Sequence, residues 1–386
     1  MPDRDAGPRA PSASRTDDPE RARRLLDHLA REPRSDAFIP FDRFMELALY
    51  AEDAGFYATD RSPLGAEGDY YTAAHASPLF GQTIAAHLAA VHHALGRDRP
   101  FRVVELGPGD GTLARTVLES FGSGERLGGE IEYALVERSE RLAERAYRET
   151  DAAAHRAGIP LRVRGSVGEE GPFEGVVLAN EVLDAQPARR LRWTGTAWRE
   201  LGVRIEAGRV VPAEAPPLPV PPPELPVPSE VGTILEISPA AEALVREVGD
   251  HLVRGAFVLF DYGMEEAELL KGHPSGTLAA VRGHRAGIDP FEAPGTADLS
   301  MFVNFGRIRY ASRRAGLEEA AYCSQAEALG LWGLSARIEE AMQTAPSPAE
   351  EVRLRLSAKN LMFGFDTFRL LELAPPASAA AIRSVT

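Results

Sequence analysis

Val103-Val104-Glu105-Leu106-Gly107-Pro108-Gly109-Asp110-Gly111, followed by Thr112, is the stretch that decides the fold. The apolar run Phe101 to Leu106 reads as a buried strand, the glycines as a tight turn, and Thr112 to Phe121 as a helix. Glycine takes φ > 0 readily and lets backbone approach a ligand without a Cβ clash. Backbone N–H groups at a helix start favour an anionic ligand group. A dinucleotide fingerprint, G-x-G-x-x-G, needs glycine at 112, where Thr112 stands. The spacing here is G-x-G-x-G, with Glu105 ahead of it on the strand. Taken alone, the pattern is either a cofactor turn or an ordinary glycine-rich turn.

Outward from this turn, strands and helices alternate. Ile131 to Val136 reads as a strand and Arg138 to Thr150 as a helix. Leu161 to Val163, Gly175 to Ala179 and Ala256 to Asp261 read as further strands, with a helix over Pro239 to Leu252. Such alternation predicts a parallel sheet with right-handed crossovers, which binds ligands at the carboxyl ends of its strands. Residues 1–20 read as a disordered tail. Residues 21–76 read as an N-terminal helical segment with a cofactor-covering loop, and 77–189 as the first half of the core. Residues 190–211 read as a β-hairpin or meander, and the proline-rich 212–230 as an extended, semi-rigid connector. Residues 231–373 complete the core, with loop-rich 264–304 on the substrate side. There, Phe305 to Ala315 and Gln325 to Thr344 read as helical, Glu318 to Tyr322 and Phe363 to Leu373 as strands. Residues 374–386 read as a tail.

Composition narrows the classes. The 386 residues carry a formal net charge of −14, with 44% hydrophobic and 26% charged residues. That is globular usage, and its acidity disfavours nucleic acid as a partner. The single cysteine, Cys323, excludes an intrachain disulfide and fits a reducing compartment. No apolar run is long enough to span a membrane, and the N-terminus lacks a secretory h-region. Asp3, Asp5, Asp17 and Asp18 argue against a mitochondrial presequence, so a cytoplasmic location is expected. No metal-ligand spacing is present.

Two further elements complete the constellation. Glu137 ends the second strand, where an acid can accept from both ribose hydroxyls or serve the helix start that follows. Asn180-Glu181-Val182-Leu183-Asp184-Ala185-Gln186-Pro187 follows the fourth strand and puts three polar side chains at the ligand edge. Glu181 or Asp184 could also merely cap the next helix.

With these pieces in order, the chain resembles class I methyltransferases that use S-adenosyl-L-methionine (SAM), and in particular the MidA / NDUFAF-type family. The segments that carry the resemblance include Gly68-Asp69-Tyr70-Tyr71-Thr72, Ser77-Pro78-Leu79-Phe80-Gly81, Glu105 to Gly111, Asn180 to Pro187 and Glu236-Ile237-Ser238-Pro239. Asp261-Tyr262-Gly263, Gly276-Thr277-Leu278, His284-Arg285 and Asp289-Pro290-Phe291 extend it, so that it runs from about residue 38 to 373. The resemblance implies an α/β class I methyltransferase (Rossmann-like) fold, with a seven-stranded, mostly parallel sheet, N-terminal helices and an inserted β/loop subdomain. It implies SAM held by Glu105, Gly107, Pro108, Gly109, Gly111, Glu137, Ser166, Val167, Asn180, Tyr71 and Thr72. It implies Glu181, Asp184, His284 and Asp69 as catalytic candidates, and a protein arginine as acceptor, as for the family's complex I assembly factor.

One stretch departs from the family. Near Leu299 to Phe305 the family pattern resembles Thr-Ala-His-Val-Asp-Phe, and here Phe302 takes the His place and Asn304 the Asp place. If those positions touch the acceptor, the acceptor differs or activity is lost; if they are structural, nothing changes. An arginine acceptor stays charged, since its pKa exceeds 12, and carboxylates would clamp it: Glu181, Asp184, Glu236 and Asp261 are the candidates. His284 is the one neutral-pH base candidate that matches the family. A small-molecule O- or N-methyltransferase and a non-catalytic SAM-binding assembly factor remain open alternatives. A homodimer is compatible with the sequence.

Overall fold

The computed structural model describes residues 19–32, 37–58, 72–96, 100–123, 127, 130–217, 225–283 and 285–386. Seven strands form its central sheet: β1 (Phe101–Leu106), β2 (Ile131–Val136), β3 (Leu161–Arg164), β4 (Phe173–Asn180), β5 (Leu252–Met264), β6 (Glu318–Ser324) and β7 (Phe368–Ala374). Their order across the sheet is β3-β2-β1-β4-β5-β7-β6. The first five are parallel neighbours, and β7 runs antiparallel between β5 and β6. A two-residue strand, Val303–Asn304, adds an eighth beside the end of β5. The direction of progress reverses between β1 and β4, the position at which open α/β sheets bind ligands.

The strands are apolar on both faces because helices cover both. Val103, Tyr133, Val176, Val258 and Leu370 face one core, with helices Pro78–Leu95, Thr112–Ser123 and Glu140–Ala157. Val104, Ala134, Val177, Leu259 and Leu371 face the other, with helices Pro239–His251 and Phe305–Arg314. This two-sided burial explains why the strands read as continuous apolar runs.

A second, antiparallel sheet comes from the inserted stretch. Arg189–Trp193, Trp198–Glu206, Arg209–Pro217 and Ile234–Ile237 pair with one another, and Ile39–Pro40 adds to the Trp198 strand. Helix Phe41–Tyr50 packs on it through Phe41, Phe44, Met45 and Ala48. Ser77 caps the Pro78–Leu95 helix as its sequence predicts, its hydroxyl accepting the Leu79 N–H at 3.2 Å.

Several expectations are corrected. The connector's first residues, 212–217, belong to an edge strand, the place where prolines are tolerated in a sheet. The strand expected from Phe363 starts at Phe368, because helix Pro348–Phe363 precedes it. That helix has apolar residues on several faces, so no stripe announced it. Loop-rich 264–304 contains helix Glu266–Gly272 and a small three-stranded sheet whose strands are too short to show a period. The stretch read as a tail forms helix Pro376–Arg383, with Ala379 and Ile382 buried. Among the described residues no helix is long and apolar enough to cross a membrane.

Strands β4 and β5 approach closely where Gly175 pairs with Gly255. A Cβ on Gly255 would lie 1.7 Å from the Gly175 carbonyl oxygen, and φ there is +144°. Ser378 of the last helix stitches the same point, accepting from the Gly255 N–H at 3.0 Å and donating to its carbonyl at 2.9 Å. Gly255→Ala is expected to destabilise the fold by about 3 kcal/mol, read as a lower urea midpoint at unchanged slope. An unchanged midpoint would show that the two strands can part freely.

Candidate active site

The glycine turn connects β1 to helix Thr112–Ser123 at the sheet's switch point. Gly107, Gly109 and Gly111 have φ of +56°, +59° and +87°, the left-handed region that side chains disfavour. They do different work. A Cβ on Gly111 would press on the backbone of Ala146 at 2.9 Å, so this glycine admits the neighbouring helix. Gly107 packs under Val182, 3.1 Å from a built Cβ. Gly107, Pro108 and Gly109 line the cavity, and Asp110 Oδ1 accepts the Thr112 N–H at 3.1 Å to start the helix.

Two acids flank the turn. Glu105 is buried on β1, and the Tyr133 hydroxyl of β2 donates to its Oε2 at 2.5 Å. Burial pushes the Glu105 carboxyl up to about 7, against the opposing hydrogen bond from Tyr133. Glu137 follows β2, lines the cavity and accepts the Ser139 N–H at 2.8 Å. Burial lifts its carboxyl to about 7 as well. Ser166 and Val167, after β3, line the same cavity.

Beyond β4 the chain turns sharply. Glu181 takes φ +55° without being glycine, a strained conformation of the kind found at functional sites. Its N–H continues the sheet by donating to Phe260 O at 2.9 Å. Its Oε1 accepts from the Ala73 N–H and the Asn180 side chain, both at 3.2 Å. Burial, and then the charge of Asp184, raise the Glu181 carboxyl to about 8. Asp184 is raised to about 6 by burial, with a hydrogen bond from Tyr262 opposing. Among the described residues neither acid has an Arg or Lys ion-pair partner within 4 Å.

Two of the four clamp candidates are structural. Asp261 is fully buried, and its Oδ2 accepts N–H bonds from Val182, Leu183 and Asp184 at 3.1, 2.8 and 3.3 Å. It holds the turn in place of an acceptor. Glu236 is taken up by Arg190 at 3.0 Å and by the N–H and hydroxyl of Thr277 at 2.7 and 2.6 Å.

Thr72 lines the cavity, and its hydroxyl meets His75 Nδ1 at 2.7 Å. His75 Nε2 in turn meets Asp110 Oδ2 at 3.0 Å. Burial pushes the Asp110 carboxyl up, yet the bonds from His75 and Thr112 hold it below its usual value. Asp69, Tyr71 and His284 lie outside the described residues.

Sequence reading missed this His75–Asp110 pair, although Asp110 sits within the decisive turn. It also missed Tyr50 and Tyr57, which line the cavity from the N-terminal segment. Tyr50 donates to Ala185 O at 3.1 Å and stacks beneath Arg138, which also ion-pairs with Glu46. Tyr57 donates to Asp298 at 2.9 Å. The only sequence signal was a tyrosine at the end of an amphipathic helix.

The departures at 302 and 304 now have places. Asn304 caps helix Phe305–Arg314, accepting the Arg307 N–H at 3.2 Å and donating to Glu266 at 3.0 Å. Phe302 packs edge-on against Tyr262 at 5.4 Å and His273 at 5.0 Å.

The cavity suits SAM. It pairs a left-handed glycine turn with an acid just after the next strand, and Asn180 Oδ1 is buried on its wall with no partner among the described residues. That oxygen is an acceptor for a ligand N–H. Fold and cavity together define a SAM-dependent methyltransferase. More particularly, the chain belongs to the family described as "Putative S-adenosyl-L-methionine-dependent methyltransferase", whose profile matches residues 83–323. It is similar to a Burkholderia thailandensis superfamily member crystallised with S-adenosyl-homocysteine, at 33% identity and TM-score 0.81, over 92% of this chain and 93% of that one. It is also similar to the human mitochondrial protein arginine methyltransferase NDUFAF7, 28% identical over 74% of this chain and 68% of that protein. The Drosophila melanogaster homolog is 29% identical over 72% and 67%.

Gly109→Val is expected to abolish binding of S-adenosyl-homocysteine in isothermal titration, since φ +59° and the cavity wall both exclude a branched side chain. Retained binding would move the cofactor elsewhere. As a ribose ligand Glu137 would accept hydroxyls best in its carboxylate form, so affinity is expected to rise with pH through about 7. Glu137→Gln is expected to weaken binding about tenfold at pH 8 and flatten that profile.

Proposed function

We propose that this methyltransferase modifies an arginine side chain of a protein. The observation that carries the reading is the pair Glu181 and Asp184. Asp184 is buried and Glu181 partly buried at the ligand edge of the sheet, the charge of Asp184 raises the proton affinity of Glu181, and among the described residues no Arg or Lys pairs with either. A cationic acceptor supplies the missing charge, and a guanidinium fits two carboxylates through its forked donors. The names of the relatives support the same acceptor.

Bound SAM supplies an electrophilic methyl group, and its C–S electron pair leaves on sulfur. The protein's part is to hold the acceptor nitrogen in line, exclude water and receive a proton. Glu105, the glycine turn, Glu137 and Asn180 hold the donor side. On the acceptor side, Glu181 as carboxylate orients the nitrogen and takes the proton it sheds when the N–C bond forms. Tyr50 and Tyr57 close the cavity from the N-terminal segment and limit water.

Incubating the protein with labelled SAM and a cell lysate, then sequencing the labelled species by mass spectrometry, is expected to locate methyl groups on arginine. Label confined to small molecules or to other side chains would overturn the reading. With an arginine acceptor, kcat/KM is expected to rise with pH up to about 8, as Glu181 of the free enzyme loses its proton. The rise in kcat is expected at lower pH, because the bound cation favours the carboxylate. Glu181→Gln is expected to slow turnover roughly 10²-fold and remove this inflection.

A further inference from the structure

A second cavity lies across the turn that follows β4. Val182 and Ala185 face the cofactor cavity, Leu183 and Asp184 face the second, and Gln186 lines both. The Gln186 side chain donates to Val182 O at 3.1 Å, so it belongs to the wall between them. Glu236, Phe302 and Arg307 form much of the remaining lining.

The polar groups here are nearly all engaged. Glu236 is held by Arg190 and Thr277, and Arg307 pairs with Glu242 at 2.9 Å. Asn304 caps its helix. Asp184 is different. It is 9% exposed, and its carboxylate takes hydrogen bonds from the Tyr262 hydroxyl and the Ala185 N–H, yet among the described residues Oδ1 has no partner. A buried carboxylate oxygen without a donor is costly, and native structures retain one where a ligand supplies the donor. Tyr262 packs against Phe302, which fixes the direction in which Asp184 points.

We propose that the second cavity is the acceptor's subsite, receiving a planar cationic group of the guanidinium type. Asp184 Oδ1 accepts its N–H donors, and Phe302, packed on Tyr262, backs the acid from the cavity wall. Gln186, common to both cavities, marks where the acceptor nitrogen enters the cofactor cavity. This subsite rests on the proposed arginine reading for the charge of its ligand. Asp184 thereby binds the acceptor, while Tyr262 and Phe302 are positioning residues.

The test is a titration of ethylguanidinium into the protein saturated with S-adenosyl-homocysteine, followed by ligand-observed NMR, with ethylurea as the neutral probe. The wild type is expected to bind ethylguanidinium and not ethylurea. Asp184→Asn is nearly isosteric and is expected to lose at least tenfold in ethylguanidinium affinity while its affinity for S-adenosyl-homocysteine stays unchanged. Ala188→Leu, which fills the second cavity and leaves Asp184 in place, is expected to give the same pattern. Equal binding of both probes, no binding by the wild type, or full ethylguanidinium affinity in Asp184→Asn would overturn the subsite. The arginine reading is tested separately. Arginine methylation at wild-type rate by Asp184→Asn removes the subsite and leaves that reading intact. Binding of ethylguanidinium through Asp184, with a methylated product other than arginine, removes that reading and leaves the subsite.

Discussion

Asp261 gathers three backbone N–H groups, those of Val182, Leu183 and Asp184, onto one carboxylate oxygen, while the other accepts its neighbour Tyr262 N–H at 2.9 Å. The residue sits on β5 and the amides belong to the turn leaving β4, so the clamp ties adjacent strands at their ligand ends. Successive amides converging on one anion make a stiff, pre-organised corner. That corner sustains the left-handed Glu181, and it sets Glu181 at the cofactor cavity and Asp184 at the adjoining one. Both cavities are therefore shaped by a single buried carboxylate that itself has no room to touch a ligand.

Around this corner the protein gathers carboxyls that, among the described residues, it does not pair with Lys or Arg. Glu105, Glu137 and Glu181 all bind protons more tightly than free carboxyls, chiefly because burial disfavours their charged forms. By linkage, the stability they contribute is present below the unfolded carboxyl range. It is lost as pH rises through about 7 to 8. The empty-handed site is thus strained at neutral pH, and ligands that donate hydrogen bonds or bring positive charge relieve the strain. Affinity for such ligands is the return on a locally unfavourable arrangement.

The sequence was most legible where structure is local. The apolar runs of β1, β2 and β4 and the glycine turn could be read because a strand buried on both faces needs no partner to be recognised. Glu137 and Asn180 followed from their positions at strand ends. The helix Pro348–Phe363 and the three short strands between residues 279 and 300 were not legible. One has no single apolar stripe, and the others are too short to carry a period.

What the sequence determined by itself was the parallel core, the cofactor class and the edge of the sheet where chemistry occurs. The core and the edge follow from residue type and spacing along short stretches of chain, and the cofactor class from a resemblance carried by many segments in order. Only the tertiary structure decided that Asp261 and Glu236 are braces while Asp184 keeps an oxygen without a partner among the described residues. It also decided that Asn304 is a helix cap, and that Tyr50, Tyr57 and His75 join the site. The four acids look alike in sequence. Their roles diverge because a carboxylate's function is set by which donors reach it, and those donors come from segments brought beside it only when the sheet and its insertions close.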